Sequence, residues 1–174
     1  TPITHDGGDF PESSMEALTQ ALSGVGFDMN ANNQYDSTAD VRPFIASAGD
    51  AFGGGVAGVY SAGTPGTGTL GGAGFRDGSI PIVVYTTDNL MRDSDQPGSF
   101  GLPAASSNPA GLSDVAAAAA NVGAKLIGIG TDSTPQPQMI SVANQTGSLA
   151  DLDGNGTVEP LVFVGLDSAV VTYV

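Results

Sequence analysis

The 174-residue chain carries 18 acidic residues against Arg42, Arg76, Arg92 and Lys125, a formal net charge of −14. That balance excludes a nucleic-acid-binding face, which needs Lys and Arg against the phosphates, and it disfavours attraction to an anionic membrane surface. With 40% apolar residues the chain buries a core of one domain's size, built from small side chains: 26 Gly, no Trp and 6% aromatics.

The first predicted element is a helix. Ser13 and Glu16 have capping-box spacing behind Asp9-Phe10-Pro11-Glu12, and Met15, Leu18 and Leu22 recur at helical intervals until Ser23-Gly24 ends the run. Residues 24–78 are the least regular stretch. Asp28 to Asp36 reads as a polar loop and Val41 to Phe52 as the place for one short helix. Gly53 to Gly74 is a Gly/Ala/Thr/Pro run read as a long surface excursion.

Regular structure then returns. Ile80 to Tyr85 is a continuous apolar run, expected as a strand buried on both faces of a parallel sheet, and Thr86-Thr87-Asp88 follows at its end. Ser113 is placed to cap a helix through Asp114 to Val122, closed by Gly123. Lys125 to Gly130 is a second buried strand, Met139 to Thr146 a helix, and Leu161 to Leu166 a third strand that Ala169 to Val174 extends or partners. Alternating strands and helices predict an α/β fold, a doubly wound, mostly parallel sheet with flanking helices. Ligands of such sheets bind beyond the carboxyl ends of the strands, and Asp88 stands at one.

No cysteine is present, which excludes disulfides and thiolate metal sites. No apolar run approaches the roughly 20 residues of a membrane-spanning helix, so no membrane insertion is expected. One histidine, His5, and no Ser-His-Asp arrangement leave nucleophilic catalysis without equipment, so the chain does not read as an enzyme. Arg92 and Asp93 read as a surface ion pair or the lining of a ligand surface. Tyr85 reads as core.

Two acidic clusters offer hard oxygen ligands: Asp6 to Glu12 before the first helix, and Asp88 after the first strand. The same residues also read as helix caps and answers to the helix dipole. Two further segments, Asp28-x-Asn30-x-Asn32-x-x-x-Asp36 and Asp151-x-Asp153-x-Asn155-Gly156-x-x-Glu159, share oxygen ligands at positions 1, 3, 5 and 9, the opening spacing of EF-hand calcium loops. Position 12 holds Ala39 and Val162 instead of the closing Glu, and both segments also read as polar turns.

The string Gly7 to Leu18 (GDFPESSMEAL after the first glycine) resembles the acidic D-x-P-E segment of integrin beta-subunit I-like domains and their bacterial relatives, members of the von Willebrand factor type A group. Phe75 to Asp88 resembles the segment leading to the T-T-D strand end of that family, and Leu112 to Gly130 and Met139 to Gly147 resemble its later elements. The resemblance covers residues 5–24 and 75–166 and leaves residues 25–74, a Gly-rich insertion, unmatched. It implies a metal-ion-dependent adhesion module holding Mg²⁺ or Mn²⁺, with Ca²⁺ in a neighbouring site, on a surface or secreted (extracellular) protein. Its partner would be a protein ligand offering an acidic residue.

Carried onto this sequence, Glu12 and Asp88 serve the adhesion-site metal, while Asp9 and the Pro11 carbonyl serve the neighbouring one. Gly7 stands where the family has Asn. The family's D-x-S-x-S motif has no counterpart, since Asp77-Gly78-Ser79 lacks the second serine. The N-terminus at Thr1-Pro2-Ile3 therefore reads as a cut edge. The whole chain reads as one partial domain whose sheet is completed by a missing N-terminal half or another chain. The alternative reading is a calcium-stabilised structural extracellular domain with a degenerate adhesion site.

Overall fold

The computed structural model describes residues 11–60, 68–96 and 109–165. Their elements run α1 (Ser14–Ser23), β1 (Ile82–Thr87), α2 (Leu112–Val122), β2 (Lys125–Gly130), α3 (Gln136–Gln145), β3 (Leu149–Ala150), β4 (Glu159–Pro160) and β5 (Val162–Val164). A three-stranded parallel sheet has the order β1-β2-β5, and β3 and β4 form a separate antiparallel pair. The fold is therefore mixed α/β, with a parallel sheet flanked by helices.

The core follows from the periodicities. Met15, Leu18 and Leu22 of α1 meet Leu112, Val115, Ala118 and Ala119 of α2 in one buried cluster that also takes in Leu126 and Met139. Alanines on α2 let the two helices approach closely. The glycines of β2 do the same for α3: a Cβ on Gly128 would lie 3.0 Å from the Tyr85 hydroxyl and 3.2 Å from the Met139 methyl. Gly24, at φ +66°, ends α1, as only a residue without Cβ does cheaply.

Both crossovers, β1 to β2 and β2 to β5, step in the same direction across the sheet. Right-handed crossovers of that kind place α2 and α3 on one face. Val83 and Tyr85 point to that face and pack on the core. Ile82 and Val84, on the other face, are 59% and 57% exposed. The expectation of a strand buried on both faces thus fails for β1, because no described element covers its second face.

Several boundaries move for local reasons. β1 starts at Ile82 because Pro81 has no N–H to donate; only its carbonyl pairs, accepting from Lys125 N at 2.9 Å. Thr86 and Thr87 continue the strand opposite Ile129 and Gly130. α3 begins at Gln136 rather than Met139, since prolines at 135 and 137 suit a first turn that needs no N–H. β5 is shorter than expected and ends before Gly165, at φ +89°. No helix forms over Val41 to Phe52; Asp50 instead gathers the N–H groups of Ser47, Phe52 and Gly54 at 2.8, 2.8 and 3.0 Å into a turn. The capping box also does not form. Ser13 is the N-cap without a side-chain capping bond, and Glu16 accepts from Gln20 Nε2 and Ala110 N instead. α2 starts at Leu112, one residue earlier than Ser113, and the N–H and hydroxyl of Ser113 both donate to Asp95. Ala169 to Val174 lie outside the described residues.

The turn at Asp50 gives a pH prediction. Its carboxyl is held below the usual carboxylate range, first by the Ser47 N–H, then by those of Gly54 and Phe52. The Thr38 N–H and hydroxyl do the same for Asp36. A carboxyl lowered on folding contributes stability that is present above its unfolded pKa and is lost as pH falls through the folded value. Unfolding free energy from urea melts is expected to drop below about pH 4, and the drop is expected to be smaller in Asp50→Asn.

Candidate cation site

The antiparallel pairing of β3 with β4 sets Ala150 opposite Glu159, so the chain leaves and re-enters a tight loop, residues 151–158, at one place. Asp151 and Glu159 flank that closure, which is why positions 1 and 9 of the motif come together. Inside the loop, Asp151 Oδ1 accepts from Gly154 N at 2.8 Å and Asn155 N at 3.1 Å, and its Oδ2 accepts from Gly156 N at 2.9 Å. Gly154 and Gly156 have φ of +75° and +86°, the left-handed turns that wrap backbone N–H groups around one carboxylate. Asp153 accepts from Asn155 N and Nδ2, and Glu159 Oε2 accepts from Leu152 N at 3.1 Å.

One carboxylate oxygen each from Asp151, Asp153 and Glu159 lies within 4.8 Å of the others, the one such convergence of three acidic groups among the described residues. Both aspartates are exposed and Glu159 is half-buried. Three acidic residues are so placed that they could hold a metal ion. Asn155 is turned to the loop itself, its Oδ1 accepting from Thr157 N at 2.7 Å.

The second polar loop repeats the wrapping without the convergence. Asp28, buried, accepts from Asn32 N at 3.3 Å and Asn33 N at 2.6 Å, the fifth and sixth residues of the segment, as Asp151 does with Asn155 and Gly156. Asn30 and Asn32 accept from the N–H groups two residues on, and Asp36 from Thr38. Ala31 and Asn33 take positive φ at the fourth and sixth positions, where the other loop has Gly154 and Gly156. The group that closes this loop is Asp40, whose oxygens accept from Met29 N and Asp36 N at 2.9 and 2.7 Å. It lies one place beyond the EF-hand closing position, and an acid at position 13 was the signal for it.

Of the adhesion-type residues, Glu12 is tied through its backbone to the loop that follows Asp88. Glu12 forms a parallel bridge with Met91: its N–H donates to Leu90 O at 2.9 Å and its carbonyl accepts from Arg92 N at 2.7 Å. That places the Pro11-Glu12 segment beside the loop after β1, and Gln138 of α3 clamps the same loop with two 2.7 Å bonds to the Met91 backbone. Asp88 is exposed one residue beyond β1, at the carboxyl edge where Thr87 pairs with Gly130 and Gly130 with Val164. Pro11 is buried, and Asp9 and His5 lie outside the described residues.

Asp93 corrects a sequence expectation. It is no surface ion-pair partner: 2% exposed, it accepts from Leu112 N and Asp95 N at 3.0 Å each and anchors the start of α2. Tyr85 is core as expected, with burial pushing its hydroxyl pKa up.

Compared with protein-family models, with curated proteins and with solved structures, the chain matches none. No described helix is long and apolar enough to cross a membrane.

Proposed function

We propose that the chain is a calcium-stabilised, non-catalytic domain of an extracellular or cell-surface protein, with its cation held by Asp151, Asp153 and Glu159. The observation that carries this is the convergence of three carboxylate oxygens within 4.8 Å on a hairpin whose backbone fixes them. Oxygens around a single Ca²⁺ lie at about 2.3–2.6 Å from it, so three oxygens no farther apart than that limit fit within one coordination sphere. Exposed loop carbonyls and water supply the remaining ligands that Ca²⁺, with its flexible coordination of six to eight oxygens, accepts and the smaller Mg²⁺ does not need. A net charge of −14 makes the folded chain gain from any bound cation.

A second reading is favoured by the backbone bridge from Glu12 to the loop after β1. In it the fold is von Willebrand factor A-like and doubly wound, and Glu12 and Asp88 hold Mg²⁺ or Mn²⁺ at the carboxyl edge, with the Asp9 and Pro11 segment serving a neighbouring Ca²⁺. The open position of the metal then takes an acidic residue of a protein ligand. The edge of β1, which no described strand pairs, and the exposed Ile82 and Val84 support the idea that further polypeptide, from the same protein or another chain, completes this sheet.

Calcium titration decides between them. The folded chain is expected to bind Ca²⁺ with a Kd of about 0.1–1 mM, in the range of extracellular modules, and at 100 times Kd to gain about 2.7 kcal/mol of stability. Asp151→Ala is expected to weaken binding at least roughly tenfold, with Glu12→Ala unchanged. Loss of Ca²⁺ or Mg²⁺ binding with Glu12→Ala alone would transfer the assignment to the adhesion-type site, and no stabilisation by Ca²⁺, Mg²⁺ or Mn²⁺ would sink both.

A further inference from the structure

Arg42 is one of only four basic residues in a chain with 18 acidic ones, yet it forms no ion pair or hydrogen bond among the described residues. It is held by the Tyr35 ring, 4.7 Å beneath its guanidinium carbon. Stacking of this kind engages the flat face of the guanidinium and leaves its in-plane N–H fork free. Arg42 belongs to the lining of a cavity of about 420 Å³, whose other walls include Val41, Phe44, Val59, Gly24 and Gly72.

Those walls are pinned by backbone bonds. Phe44 N donates to Gly24 O at 2.7 Å, Val59 N to Pro43 O at 2.9 Å, and Ala73 N to Ala21 O at 3.0 Å. The two glycines belong to this packing: a Cβ on Gly24 would come within 2.7 Å of Gly72 Cα, and one on Gly72 would run into the Gln20 carbonyl. Gln20 also lines the cavity, but its side-chain amide is spent on Glu16 and Gly26. One unpaired cation against a preformed apolar wall is the pattern of a ligand site with a single polar anchor.

We propose that this cavity binds a small carboxylate with an apolar body, its chain against Val41, Phe44 and Val59 and its carboxylate on the Arg42 fork. A bidentate guanidinium–carboxylate pair supplies the orientation. The acidic surface repels anions at long range, so affinity in the roughly millimolar range is expected for a ligand of this size.

The test is an amide-resolved NMR titration with 4-phenylbutyrate and, as the uncharged match, 4-phenylbutanol. Shifts are expected to centre on Gly24, Phe44, Val59 and Gly72, with the carboxylate bound roughly five- to tenfold more tightly than the alcohol. Arg42→Gln, at an exposed position, is expected to bring that ratio to about one, and Arg42→Lys, which keeps the charge but not the fork, to an intermediate value. The proposal is overturned if the lining amides do not respond, if alcohol and carboxylate bind equally to the unmodified chain, or if Arg42→Gln keeps the preference.

Discussion

Met139→Ala is expected to lower the unfolding free energy by about 3 kcal/mol, within the range of about 2–5 kcal/mol for a buried Met truncated in a packed core. Met139 is fully buried on α3, and its side chain fills the space that glycines leave on β2: its methyl is 3.2 Å from the Cβ position of Gly128, and its sulfur 3.5 Å from that of Gly130. No neighbouring side chain at those two positions can expand to refill the void, which keeps the cost from relaxing. For a chain of this length the loss corresponds to a Tm roughly 10 °C lower. Val158→Ala, at a position 57% exposed, is the control and is expected to change stability by less than about 0.5 kcal/mol. A cost below about 1 kcal/mol for Met139→Ala would mean that α3 does not pack on β2 as described.

Asp93→Ala is expected to cost about 2–4 kcal/mol in urea unfolding at neutral pH. Its buried carboxylate accepts from the N–H of Leu112, the first residue of α2, where the helix dipole favours negative charge. Truncation leaves that buried donor without a partner. Asp93→Asn keeps an acceptor but not the charge, and about half the loss is expected. Asp95 does a similar job from the exposed side, accepting from Ser113 N at 2.6 Å and its hydroxyl at 3.0 Å. Asp95→Ala is therefore expected to cost only about 1 kcal/mol, as for an ordinary lost cap. Equal losses at 93 and 95 would show that burial does not set the difference.

The comparison of Asp93 with Asp95 shows where local reading stops. In sequence both are polar residues after a strand, and Arg92-Asp93 invites an ion-pair assignment. Only the packing of residues 91–96 against the start of α2, nearly twenty residues on, separates a buried anchor from a surface cap. The same holds for Glu16. Its spacing from Ser13 satisfies a capping box, but the Ala110 N–H, 94 positions away, takes one oxygen and Gln20 the other.

The acidic loops divide along the same line. The Asp-x-Asx-x-Asn pattern is a local instruction, because a carboxylate can wrap only the N–H groups within a few residues of it, and both loops obey it. Whether the acids then converge depends on what joins the loop ends. The β3–β4 pairing returns Glu159 to Asp151, whereas in the other loop Asp36 turns to Thr38 and Asp40 closes the backbone.

What the chain determined locally was the run of elements: α1 from Met15, Leu18 and Leu22, α2 up to Gly123, and β2 over the full span from Lys125 to Gly130. Helical periodicity, a glycine at positive φ and an apolar run are short-range signals, set by residues only a few positions apart. What the tertiary structure alone decided was which face of β1 is covered, which oxygens gather around one point, and which charges are buried. Those depend on groups brought together from distant parts of the chain, and burial and electrostatic energies are set by such neighbours rather than by spacing along the sequence.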